Sequence, residues 1–318
     1  MDELGPVVTG ALDGGNIELV GSGMVGTQHE FHLKIRPDPF TKHTDLTAHC
    51  QWFYFKVANV IGMPCHFSIM DLLKSSYPGA WPGYKIAYSY DMNDWFRVHN
   101  TDYDVTLGVL SWTVTPVHDQ IFFAYFAPYS YARHLELIAQ CSSSTLSTVK
   151  VIGHTLDHRF LELVVCGTGP VPIWINARQH PGETMAEWFM EGLIERLLDP
   201  VDPVSIQLRS LATLYCVPNM NPDGSVRGHL RTNAGGANLN REWASNGNYV
   251  APSLERSPEV YYVLKAMDAV GCRMFVDVHG DVSIREFDIV LIKINRQLVG
   301  RNPCKFCCRN SRDPKLEF

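Results

Sequence analysis

Between residues 30 and 140 apolar side chains recur at every second position. In QWFYFKVANV, Phe53, Phe55 and Val57 alternate with Trp52, Tyr54 and Lys56, the period of an extended strand. Apolar, aromatic runs follow at CHFSIMDLL, YKIAYSY, VLSWTVT and IFFAYFAPY, separated by turn-rich pieces such as SSYPGAWPG at 75–83. Short strands at this spacing predict an antiparallel β-sandwich.

From about residue 142 the pattern changes. VIGHTL, LELVVCG, VPIWIN, LATLYCVP and CRMFVDVH read as strands. A helix is predicted from Pro181 to about Leu198, with Met185, Trp188, Phe189, Gly192 and Leu193 along one face, and SPEVYYVLKAMDAVG reads as another. Strands alternating with helices predict a mixed, largely parallel α/β domain. The fold class is therefore α/β: a sandwich over 1–145, an α/β domain over 146–281, and a tail over 282–318 of different character. The tail carries eight Lys/Arg against four Asp/Glu, in a chain whose net charge is −6.

That net charge gives no reason to expect a nucleic-acid partner. No apolar run reaches the roughly 20 residues needed to span a membrane. MDELGPVVTG lacks the basic and apolar regions of a secretory signal. The nine cysteines are odd in number and mostly isolated in strand-like segments, as buried thiols of a cytoplasmic protein would be.

The chemistry concentrates where strands end. After VPIWIN come His180, Pro181, Gly182 and Glu183. Pro181 suits the first position of a helix, which places Glu183 in its first turn. Ligands of open α/β sheets collect at the C-terminal ends of strands. A second strand ends in Asp277-Val278-His279-Gly280-Asp281. If the two strands are neighbours, His180, Glu183 and His279 form a two-histidine, one-carboxylate set for one zinc ion. Such a set leaves a position open for water, the catalytic arrangement, in which the metal would polarise a carbonyl and acidify that water. Between the ligand segments lies PNMNPDGSVRGHLRTNAGGANLNREW, rich in Gly and Asn and read as mostly loop, with a turn at Asn221–Gly224. Its Arg231, Asn240 and Arg241 suit a carboxylate and an oxyanion, because a guanidinium matches a carboxylate with two parallel bonds. Arg227 reads as a solvated charge.

Two other patterns carry less. Gly21–Gly26 spells GSGMVG, a G-x-G-x-x-G match after a strand-like NIELV, but EFHLKIRP follows it as a strand and not a helix, so a Gly-rich turn suffices. The Cys304, Cys307 and Cys308 cluster lacks a second ligand pair.

Taken together, His180-Pro181-Gly182-Glu183, Arg231 in HLRTN, Asn240-Arg241 in NLNREW and His279 in DVHGD resemble a zinc carboxypeptidase of the carboxypeptidase A type. QWFYFKVANV, KSSYPGAWPGY, SYDMNDWFRV and FAYFAPYSYARH resemble the N-terminal sandwich of its cytosolic carboxypeptidase branch, which includes tubulin deglutamylases. The likeness runs over roughly residues 15–281. It implies His180, Glu183 and His279 as zinc ligands, Arg231 as the oxyanion group, and Asn240 and Arg241 as the grip on a substrate's C-terminal carboxylate. It also implies that the partners are C-terminal tails of proteins or peptides, tubulin among them. Asn238 stands where many of these enzymes carry an Asp that orients a zinc-ligand histidine. The family's general-base Glu has no counterpart by motif: Glu286 is seven residues past His279, and Glu317 has no motif around it. A sheet ending at the His279 strand would leave apolar faces uncovered. Two rival functions fit the same ligands: a catalytically inactive zinc- and peptide-binding protein, and an aspartoacylase-like deacylase of N-acyl amino acids, which the sandwich disfavours.

Overall fold

The computed structural model describes residues 5–41, 49–243 and 251–281, and the backbone of one further strand, Val290–Asn295. Two five-stranded sheets form the sandwich. One runs Val7–Thr9, Tyr54–Ala58, Gln120–Ala124, Ala87–Ser89, Phe96–Arg97, antiparallel throughout. The other runs Glu18–Val25, Gln28–Lys34, Cys65–Ile69, Val109–Val114, Asp102–Asp104, and holds one parallel pair, Gln28–Lys34 with Cys65–Ile69. Register explains the core. Phe31, Phe67 and Trp112 stand opposite one another on three adjacent strands, their rings 4.9 and 5.1 Å apart in turn. The other sheet answers with the cross-strand pair Phe55 and Phe123, and Phe123 lies 5.1 Å from Phe67. Such cross-strand aromatic pairs bury large area and fix register at once.

The GSGMVG run is not a turn. It continues the strand Glu18–Val25, and the chain reverses only at Gly26, whose φ is +62°. No helix follows, so a pyrophosphate would find no helix N-terminus there.

The second sheet system has six strands in the order Ser147–His154, Phe160–Cys166, Ala212–Val217, Val171–Ala177, Met274–Gly280, Val290–Asn295. Its three central strands are parallel and the outer ones antiparallel. Both faces are covered. Ile175 and Ala177 pack with Met190, Ile194 and Leu197 of the helix Thr184–Leu197, while Trp174 packs with Val260, Val263 and Met267 of the helix Pro258–Val270. The sheet continues one strand past His279, so its edge is not the one the sequence suggested; the rest of 282–318 lies outside the described residues.

The chain changes core at the helix Tyr131–Ser143, a segment read from sequence within the strand-rich half. Ser130 caps it by accepting from Arg133 N, and Leu137 and Cys141 enter the core of the C-terminal sheet. Two further helices escaped the pattern: Pro203–Leu211, capped by Asp202, and Pro222–Arg227, where a turn was expected. In the latter Asn221 accepts from Gly224 N and Pro222 starts the helix, so the turn residues serve as a cap.

A buried ionic group ties the helices Tyr131–Ser143 and Thr184–Leu197 to each other and to the strand Phe160–Cys166. His134 Nδ1 lies 2.8 Å from Glu187 Oε1 and its Nε2 lies 3.5 Å from Glu162. Burial opposes charge on the ring, but Glu162 and Glu187 outweigh it and push its pKa up to about 9. A folded-state value above the unfolded 6.5 means stabilisation that is complete below about pH 6.5 and lost as pH rises through about 9. Urea unfolding at pH 6 to 10 should therefore show stability falling across this window in the native chain and a flatter profile in His134→Gln. Parallel profiles would reject the account.

Candidate metal centre and its surroundings

The strand Val171–Ala177 ends three residues before His180, and the helix begins at Thr184. Pro181 is therefore not the first helical residue, and Glu183 is the cap and not part of the first turn. The reason lies in what holds the intervening turn. Arg178 takes a left-handed φ of +54°, its Nε donates to Pro181 O, and Gly182 N donates to Leu230 O. These bonds draw the backbone away from helical geometry. Arg178 is itself anchored: its Nη1 lies 2.5 Å from Glu187 and 2.7 Å from the Tyr129 carbonyl.

Val171–Ala177 and Met274–Gly280 are parallel neighbours, with Asn176 opposite Asp277. That pairing brings His180, Glu183 and His279 together, all buried, with ligand-capable atoms within 4.8 Å of one another. His180 Nδ1 lies 2.7 Å from Glu183 Oε1, and His279 Nδ1 lies 2.8 Å from Glu183 Oε2. Each outer ring nitrogen has its own partner. His180 Nε2 meets Asn238 Oδ1 at 3.1 Å, and His279 Nε2 meets Asp277 Oδ2 at 2.7 Å. An Nε2–H spent on an oxygen fixes the tautomer that leaves Nδ1 with a free lone pair. Both lone pairs then face the carboxylate, which is the donor set of a zinc site. The residues present fit that metal.

Electrostatics match this donor set at His180 and Glu183, while His279 holds a proton that a metal would have to displace. Burial first, then the nearby charge of Arg231, push the His180 pKa down to about 4, so the ring is a neutral donor. Burial opposes charge on Glu183, but the two histidines outweigh it and hold the carboxyl well below its usual range. At His279 burial is again outweighed, here by Asp277 and Glu183, and the pKa rises to about 9.

The other sequence candidates fall around this centre unequally. Asn240 Nδ2 lies 3.1 Å from His279 Nε2, whose single hydrogen is better spent on Asp277 at 2.7 Å. Arg241 is exposed, with Nη1 2.9 Å from the Asn240 carbonyl, on the short 3-10 turn Leu239–Arg241. Arg231 is half-buried, and its Nη1 donates to Tyr77 Oη at 3.2 Å. Arg227 is not simply solvated: it pairs with Asp157 through Nε at 2.9 Å and Nη2 at 2.6 Å. Glu286 and Glu317 lie outside the described residues. Sequence reading passed over Asp277 as a partner of His279, although its place two residues earlier on the same strand face was legible.

Residues 8–126 match the cytosolic carboxypeptidase N-terminal domain, and residues 132–283 match the zinc carboxypeptidase domain. An uncharacterized protein of Zymomonas mobilis is 43% identical over 277 residues, 87% of this chain and 68% of its own length. The chain belongs to the zinc carboxypeptidases. Among solved members, the metallo-carboxypeptidase of Burkholderia cenocepacia superposes with a TM-score of 0.79 at 40% identity, covering 88% of this chain and 71% of that one. The Pseudomonas aeruginosa metallo-carboxypeptidase, solved with (2-guanidinoethylmercapto)succinic acid, gives 0.77 at 39% identity, covering 87% and 70%. Mouse cytosolic carboxypeptidase 3 is 29% identical over 85% of this chain, which spans 28% of its length.

For this carboxypeptidase domain two substitutions probe the support of the centre. Asp277→Asn keeps the shape but no longer offers the carboxylate that holds the His279 proton. It should weaken zinc binding by about 10- to 100-fold, measured by competition with a chelating dye. Gly280 N donates to Glu183 Oε2 at 3.0 Å, and a Cβ at Gly280 would lie 1.9 Å from Met185 Sδ. Gly280→Ala should therefore cost about 1–3 kcal/mol in thermal or urea unfolding and loosen metal binding. Unchanged unfolding would show that Met185 moves aside freely.

Proposed function

We propose that this chain acts as a zinc-dependent metallocarboxypeptidase that removes residues from the C-terminal tails of peptides or proteins. The observation that carries the reading is the meeting of His180 Nδ1, His279 Nδ1 and both Glu183 oxygens at the ends of two neighbouring parallel strands. In this proposal those three residues hold one zinc ion. Zinc there supplies a Lewis acid for a carbonyl oxygen and for water. The protein does the rest. Asn240 and Arg241 bind the terminal carboxylate, which selects a chain end over an internal bond. Arg231 places a guanidinium where negative charge develops on the scissile oxygen.

The dicarboxylate bound by the Pseudomonas enzyme supports a carboxylate grip in this fold. A preference for acidic tails such as oligoglutamate, tubulin's included, enters the proposal through the resemblance to the cytosolic carboxypeptidases alone, because Arg231 and Arg241 are already assigned to groups that every peptide presents. A cytoplasmic site of action belongs to the same proposal. It is supported by the six free cysteines among the described residues and by relatives named cytosolic carboxypeptidases. No helix of the described residues is long and apolar enough to cross a membrane.

Metal analysis by mass spectrometry should find about one zinc per chain, lost in His180→Ala. A peptide panel ending in Glu, Lys or Leu, run beside N-acyl amino acids, then reads the chemistry. Release of C-terminal residues supports the proposal. Turnover confined to N-acyl amino acids would replace it with a deacylase. One zinc with peptide binding but no release would replace it with a binding protein. Arg241→Ala should raise KM for the peptides by about 10-fold or more, as loss of a charge-assisted grip on the carboxylate predicts.

A further inference from the structure

Arg231 is held by the sandwich, not by the domain that encodes it. The Asp38 carboxylate, on the segment after the strand Gln28–Lys34, accepts from Leu230 N at 2.6 Å, Arg231 N at 2.8 Å, Thr232 N at 2.9 Å and Thr232 Oγ1 at 3.1 Å. Its partners lie more than 190 residues away in sequence. Asp38 is 4% exposed. Three successive backbone N–H groups closing on one carboxylate form an anion nest, which sets the direction of the backbone at Arg231. The far end of the same residue is set from the sandwich too. Tyr77 Oη accepts from Arg231 Nη1. Tyr77 is in turn fixed by the fully buried Gln51, which accepts from Tyr77 N at 3.1 Å and donates to Tyr77 O at 3.4 Å.

Neighbouring contacts leave this loop little freedom to shift. Asn16 Nδ2 donates to Gly228 O, Gly14 N donates to Val226 O, and a Cβ at Gly236 would lie 2.5 Å from Phe40 O. Gly236 is also at φ +81°, a conformation glycine adopts freely.

We propose that Asp38 and Tyr77 are positioning residues for Arg231, so that the N-terminal sandwich is a working part of the peptidase site. Asp38 fixes where the Arg231 side chain starts, and Tyr77 fixes where its guanidinium ends. An aspartate is required at 38 because all the groups around its carboxylate are donors. Asparagine would turn an NH2 toward an N–H whichever way its amide is placed. The inference rests on the reading of Arg231 as the oxyanion group, and its test separates the two.

The first arm needs no turnover. Hydrogen exchange of the full chain should show faster exchange at residues 230–232 in Asp38→Asn, with zinc content unchanged. Native-like exchange there would overturn the proposal. The second arm is a double-mutant cycle. Tyr77→Phe should lower kcat by about 10- to 100-fold, the effect of a misaimed catalytic group, with KM little changed. The same change in an Arg231→Ala background should cost almost nothing further. Additive losses, or a change confined to KM, would show that Tyr77 does not act through Arg231 and would overturn the proposal. Tyr77→Phe removes one hydroxyl and keeps the ring, so this arm stands even if Asp38→Asn fails to fold. A native chain that binds zinc and hydrolyses no peptide would defeat the functional reading alone, and the exchange arm would still decide the role of Asp38.

Discussion

One carboxylate set between two imidazoles organises this molecule. Glu183 is buried and charged, a state that is costly unless every lone pair is met. Its Oε2 accepts from the amide of Gly280, and both oxygens face His180 Nδ1 and His279 Nδ1, where one shared cation would meet the remaining lone pairs. For those groups to arrive, two strands must be parallel neighbours in one register, and the turn after the first must leave helical geometry. The left-handed Arg178 and the bonds to Pro181 and Gly182 follow from that demand. Behind them, Glu187 gathers Arg178, His134 and Asn219 into a second buried ionic group that braces the turn. The arrangement exchanges helix regularity for aim, as sites on rigid scaffolds do.

The sandwich extends the same logic. Its core is built on a row of stacked aromatics fixed by register. That core also takes in Met185 and Leu230, which flank the ligand turn and the arginine loop. Burial and hydrogen bonding thus join two sheet systems into one continuous support for a loop that would otherwise be long and Gly-rich. Loops carry function when a scaffold limits their motion, and here the scaffold comes from the other half of the chain.

Much of this was legible in the residues. Strand periodicity gave the sandwich and the alternating half, because those strands have one chemistry per face or are apolar on both. His180, Glu183 and His279 stood out through their joint placement at two strand ends, since either segment alone has an ordinary structural explanation. Asn238 was visible only through the resemblance, at the position where many of these enzymes carry an Asp. What escaped was long-range or disguised. Asp38 lies in PDPF, an ordinary turn sequence, and its partners are nearly 200 residues on. His134 sits in a helix whose start, Ser130, follows an aromatic run that looks like more strand. Pro222-Asp223-Gly224 spells a turn, and only the cap from Asn221 tips it into a helix. In each case the deciding partner is a backbone amide or a distant side chain, which no local pattern encodes.

The Asp38 contact also bears on how the chain is made. A ribosome delivers the sandwich first, and domains generally fold as units in that order. Asp38 then waits through about 190 residues of synthesis before the amides of Leu230 to Thr232 emerge to meet it. Closing so large a loop is entropically slow, but the template is already rigid when its partner arrives. The finished early half therefore serves as a mould against which the late loop sets. A chain split between the halves would lose that mould, even where each piece keeps its own core.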